Sequence, residues 1–246
     1  MRTQPTFKTV FFGLIAFIAS NLASATPMLQ LGIAGGTYNA TTQTIVSSGP
    51  VFSLYAFLTP GNGNNNSNTL TDTYYLSMAL SPQVSVTTNL GSFSVNGNTI
   101  NATSNMVYGT PPLDSTLFSD PGDLSSHGMF PTFYTQMGFM FNSTNQSGIF
   151  NTQDNPSFGP QSGSGMYFQR FDINVSGLTN GFAVHFDLYN TRLCTGRNCT
   201  PGDIDVNQFA PFSHDAESIT NVPEPNTLIL LGLGLLGLGL ARKRAK

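Results

Sequence analysis

The strongest constraint on this chain is a period of two. Phe171, Ile173 and Val175 alternate with Arg170, Asp172 and Asn174, and Phe182, Val184, Phe186 and Leu188 alternate with Ala183, His185, Asp187 and Tyr189. Successive side chains of a strand point to opposite faces, so each segment has one apolar face to bury. Gly177-Leu178-Thr179-Asn180-Gly181 separates the two and predicts an antiparallel hairpin. The same period runs through residues 73–80, where Tyr74, Leu76, Met78 and Leu80 share a face before Pro82. Residues 51–58, apolar but for Ser53 and closed by Pro60-Gly61, are a buried-strand candidate. Phe93 and Val95 lead into Asn96-Gly97, a tight-turn signal, with Thr99-Ile100 returning.

No helical period occurs outside the two ends, and residues 61–68 are a polar, Asn/Gly-rich loop. Short strands divided by many turns predict an all-β fold, a single jelly-roll-like β-sandwich. Twenty phenylalanines and no tryptophan supply its filling. The expected organisation is a signal peptide over 1–25, a sandwich ectodomain over 26–221 and a C-terminal tail with a transmembrane helix over 222–246.

Both ends read as export signals. Arg2 and Lys8 precede an apolar run over 10–19, and Ala23-Ser24-Ala25 offers the small-x-small pattern cut by signal peptidase, here after Ala25. At the other end, Val222-Pro223-Glu224-Pro225 is followed by an apolar stretch over 228–241 and the basic run Arg242-Lys243-Arg244-Ala245-Lys246. The prolines keep the segment around Glu224 extended, and the basic run stays cytoplasmic by the positive-inside rule. At ~1.5 Å per residue, the apolar stretch reaches about 21 Å as a helix, short of a ~30 Å hydrocarbon core. Membrane insertion is therefore expected to be transient.

These three parts, in this order, resemble the PEP-CTERM sorting tail of Gram-negative bacteria that make exopolysaccharide. The resemblance implies processing by an exosortase near Pro223-Glu224-Pro225 and delivery across the inner membrane to the cell surface or beyond.

With both ends removed, three arginines, no lysine and eleven carboxylates remain between Thr26 and Val222, a net charge of −8. Such a surface has nothing with which to neutralise phosphates, which excludes nucleic-acid and anionic-lipid partners. Cys194 and Cys199, four residues apart in sequence, predict a local disulfide in an oxidising compartment. A zinc reading of the pair lacks two further ligands.

Four further segments carry a second resemblance: Phe52-Ser53-Leu54-Tyr55-Ala56, residues 126–134 around His127, His185-Phe186-Asp187-Leu188-Tyr189, and Ala210-Pro211-Phe212-Ser213-His214-Asp215-Ala216. They are similar to the choice-of-anchor N ectodomain family, which implies one ectodomain unit and no particular chemistry.

Candidate chemistry is sparse. His127, His185 and His214, with Asp187 and Asp215, are the residues from which a metal or catalytic cluster would be built, although His185 on the polar side of its strand also reads as exposed. Asp203, Asp205 and Asn207 have the spacing of the first three oxygen ligands of a calcium loop, but Gln208 replaces the turn glycine and His214 the twelfth-position glutamate. Calcium is thus the one candidate cofactor. Tyr38, Tyr55 and Tyr189 are candidates for stacking on sugars. No nucleophile elbow is present. The sequence predicts a non-enzymatic matrix or exopolysaccharide-associated protein, with a carbohydrate-binding module or polysaccharide hydrolase as the alternative.

Overall fold

The computed structural model describes residues 28–60, 70–111, 131–190, 210 and 214–220. These form two facing sheets. The first runs in the order β1 (Leu29–Ile33), β4 (Val51–Leu58), β11 (Gly165–Asn174), β6 (Ser92–Val95), β7 (Asn98–Asn101), with β10 (Gln146–Gly148) also on β11. The second runs β2 (Thr37–Asn39), β3 (Thr44–Val46), β13 (Asp215–Glu217), β12 (Ala183–Asn190), β5 (Tyr74–Ser81), β9 (Thr132–Phe139), β8 (Val107–Gly109). Pairing is antiparallel except between β3 and β13, which are parallel. The β-sandwich expected from the alternation is what the chain forms, and no helix among the described residues is long and apolar enough to cross a membrane.

The core forms where the inner faces meet. Leu29, Leu31 and Ile33 of β1, Leu54, Ala56 and Leu58 of β4, and Phe171 and Ile173 of β11 pack toward Leu76, Met78 and Leu80 of β5 and Val184, Phe186 and Leu188 of β12. Phenylalanines bridge the sheets edge to face: Phe52 meets Phe186 at 6.2 Å and Phe171 meets Phe139 at 5.1 Å between ring centroids. Asn96 and Gly97 both take positive φ, 50° and 79°, as the β6–β7 turn demands.

One expectation fails. The two most regular segments, β11 and β12, are not a hairpin; they lie in opposite sheets. Their connection docks instead on the start of β6: Ser92 N donates to Gly177 O at 2.9 Å and Thr179 N to Leu90 O at 2.8 Å. Alternation reveals which face of a strand is apolar but not which strand is its neighbour. Two inward-facing strands joined by a turn satisfy the same pattern whether they share a sheet or face each other.

The first sheet has a second packed layer on its outer side. Gln30 and Phe57 are paired in register there, and the loop after β10 lays Phe150 on Phe57 with centroids 5.1 Å apart. Gly32 permits this approach, because a Cβ there would lie 3.1 Å from Phe57 and 3.2 Å from Thr152.

Candidate functional site

The second sheet is polar on its outer side and yet closed to solvent at β12. All eight residues of β12 are buried. Val184, Phe186 and Leu188 belong to the core, so His185, Asp187 and Tyr189 point to the other face. His185 is therefore not an exposed strand residue, and Tyr189, fully buried, is no platform for a sugar. Its ring stacks on Tyr75 and its hydroxyl donates to Gln136 Oε1. Burial pushes the Tyr189 hydroxyl well above the usual phenol range, helped by Tyr134, Tyr75 and Asp187. Tyr38 and Tyr55 are half-buried, with Tyr55 stacked on Phe57.

Register assembles the rest. β13 pairs with β12 so that Glu217 lies opposite His185, placing Asp215 and Glu217 on the same face as the histidine. Two hydrogen bonds lock the pair just beyond β13: Ser218 N donates to Val184 O and Val184 N to Ser218 Oγ, each at 2.9 Å.

His185 Nε2 lies 3.3 Å from Asp187 Oδ1 and 4.0 Å from Asp215 Oδ2, while Nδ1 faces Glu217 Oε2 at 3.9 Å. One donor atom from each of His185, Asp187 and Asp215 falls within 4.8 Å of the other two. Nε2 is buried against Asp187, and the buried Ser77 hydroxyl on β5, the residue paired with Asp187, makes no hydrogen bond. Burial alone would lower the His185 pKa; the attraction of Asp187, with Glu217 and Asp215, outweighs it and raises the ring well above the ordinary histidine range.

Of the residues singled out from sequence, His185, Asp187 and Asp215 are thus brought together. His214 is not among them. It is buried separately, with Nε2 2.9 Å from Asn151 Oδ1, and burial lowers its pKa to about 4 against the opposing pull of Asp154. His127, Ala23 and Ala25, Cys194 and Cys199, Asp203, Asp205 and Asn207, and Val222, Pro223, Glu224 and Pro225 lie outside the described residues. Glu217 was missed, though its two-residue offset from Asp215 is the strand period that puts both carboxylates on one face.

A cleft of about 410 Å³, lined about equally by polar and apolar surface, opens elsewhere, between the residues leading into β6 and the end of β7 with those that follow it. Thr87, Asn101 and Ser104 line it with exposed polar side chains beside Ala102, while the buried Thr103 hydroxyl donates to Thr88 O and Asn89 Oδ1 accepts from Gly91 N.

Comparison with known families finds a PEP-CTERM protein-sorting motif over residues 221–244. No curated protein and no solved structure matches the chain. The motif makes this an exported protein processed by an exosortase, with a cell-surface or extracellular fate.

Proposed function

We propose that the exported product is a non-enzymatic component of the extracellular matrix that associates with exopolysaccharide. The motif at 221–244 supports the delivery route, and the cleft beside β6 and β7 is the observation that carries the association. Its exposed Thr87, Asn101 and Ser104 side chains can exchange hydrogen bonds with sugar hydroxyls without a charge to neutralise. Arg170, on the opposite sheet from the histidine cluster, is ion-paired to Asp172 at 2.6 Å, and the mature region has no lysine. That charge pattern suits a neutral polymer better than an anionic one.

The hydrolase reading has one structural anchor, the Asp187–Asp215 pair. Glycosidases do use two carboxylates, but both must reach the glycosidic oxygen or its attacking water. Side-chain exposure here is 0% for Asp187 and 1% for Asp215, which supports a structural role for the pair.

Binding of the purified exported form to exopolysaccharide from the producing strain tests the proposal. The expected result is saturable binding, lost with Ser104→Arg, which fills the cleft from its rim. Binding unchanged by that substitution would refute the cleft, and release of reducing sugars would refute the non-enzymatic role. Signal-peptide removal after Ala25 and cleavage near Glu224 are expected in the intact mass of the same material.

A further inference from the structure

We propose that His185, Asp187 and Asp215 bind a zinc ion through His185 Nε2 and one oxygen from each carboxylate, with Glu217 as the positioning residue for the imidazole. Both nitrogens of His185 are aimed at carboxylates, Nε2 at Asp187 and Asp215 and Nδ1 at Glu217. Metal-binding histidines characteristically use one nitrogen as ligand and turn the other N–H toward a carboxylate that fixes tautomer and orientation. The division of carboxylates around this ring has that form.

Spacing agrees. Zinc–nitrogen and zinc–oxygen bonds of ~2.0–2.2 Å place tetrahedral ligands roughly 3.3–3.6 Å apart. His185 Nε2 and Asp187 Oδ1 already stand 3.3 Å apart, and Asp215 Oδ2, 4.0 Å from Nε2, would draw inward, with all three donor atoms within 4.8 Å of one another. Nε2 sits on a residue 6% exposed and is aimed into the cluster, 3.3 Å from Asp187 Oδ1. An independent observation marks room for a missing group: the Ser77 hydroxyl, paired in register with Asp187, is buried without a hydrogen bond.

Chemistry narrows the ion. Calcium and magnesium take oxygen ligands, whereas a mixed imidazole and carboxylate set suits zinc and its first-row neighbours, of which zinc alone needs no redox partner and imposes no preferred d-electron geometry. Two ligands come from a central strand and one from the strand beside it, so the ion would clamp β13 to β12. Three protein ligands leave a fourth tetrahedral position for a water, and with all three ligands sealed from solvent the role is structural.

The full, untagged chain, purified in detergent, stripped with a chelator and dialysed, is titrated calorimetrically with zinc chloride and separately with calcium chloride, and its melting temperature is followed. One zinc per chain and a raised melting temperature are expected, with no comparable effect of calcium. Asp187→Asn should weaken zinc binding about 100-fold and Glu217→Gln about 10-fold, as for ligand and supporting positions. Exposed Asp172→Asn should leave it unchanged. Cobalt in place of zinc should give visible absorption that is absent in Asp187→Asn. No zinc uptake by the wild type would overturn the proposal, as would uptake unaffected by both Asp187→Asn and Glu217→Gln, or calcium stabilising as strongly as zinc. The wild-type titration needs no variant, and Glu217→Gln alters a partly exposed side chain, so a failure of Asp187→Asn to fold leaves the test decisive.

Discussion

Gln30 gives the sharpest test of how the outer layer is held. It is fully buried on β1, yet it faces away from the core. Its amide is used on both sides: Nε2 donates to Phe150 O at 2.9 Å and Oε1 accepts from Thr152 N at 2.9 Å. Gln30→Leu keeps the approximate volume and removes both partners. The Thr152 N–H, on a fully buried residue, then costs ~1–3 kcal/mol, and the Phe150 carbonyl, on a half-buried one, about 1 kcal/mol. The added apolar surface of leucine returns less than ~1 kcal/mol. A net loss of about 2–3 kcal/mol follows, equivalent to roughly 1 M in the urea midpoint at a slope of ~2–3 kcal/mol/M. Gln30→Glu should be worse near neutral pH, since it loses the donor to Phe150 and buries a charge. Urea unfolding of the exported form measures the loss, and hydrogen exchange at Thr152 should quicken in step. A Leu variant within ~0.5 kcal/mol of the wild type would show that water or a loop shift satisfies both groups, and the reasoning would fail.

Two further predictions rest on single positions. His214 is neutral in the fold with its pKa lowered to about 4, so its contribution is complete above the unfolded value near 6.5 and is lost as pH falls toward 4. At about 1.4 kcal/mol per pH unit this approaches 3 kcal/mol; in chelator-treated protein the urea midpoint of His214→Gln should fall less between pH 7 and 4, and parallel profiles would contradict the assignment. Gly91→Ala and Gly97→Ala both place alanine at positive φ, 82° and 79°, but a Cβ at Gly91 would stand 2.0 Å from the Gly177 carbonyl oxygen while Gly97 has open space. Gly97→Ala should cost about 1–2 kcal/mol and Gly91→Ala several times more, and equal melting temperatures for the two would refute the close approach.

The sequence made strands legible wherever composition acts locally. The apolar run of β4, the alternation of β5 and the Asn96-Gly97 turn each depend on residues close in the chain. Partner choice does not. β11 and β12 separate because the groups of the 177–179 connection bond to Leu90 and Ser92, far back in the chain. The site divides in the same way. His185 and Asp187 share a face by strand period, but Asp215 and Glu217 reach them only through the pairing of β13 with β12. Burial was the hardest feature to read, because His185, Asp187 and Tyr189 have the polarity of a solvated face and the exposure of a core.

That contradiction bears on how sorting and folding fit together. A buried cluster of imidazole and carboxylates carries a desolvation cost that an apolar row of similar volume would avoid, so it is weak as a pure stabilising device. Its placement suggests what it serves. β13 is a three-residue strand, and the described chain beyond it is held by Ser218 N on Val184 O and by Ile219 N on Ser47 Oγ at 2.8 Å. The sorting motif begins at residue 221, two residues past the last of these bonds. Exosortase processing therefore acts, along the chain, close to the strand that joins β3 to β12 in the second sheet, and a strand this short has few ladder bonds with which to resist fraying. Asp215 and Glu217 lie before the motif and remain in the product. A zinc ion bridging Asp215 to His185 and Asp187 would hold β13 in place through processing, which gives the buried cluster a use that its energetics alone do not.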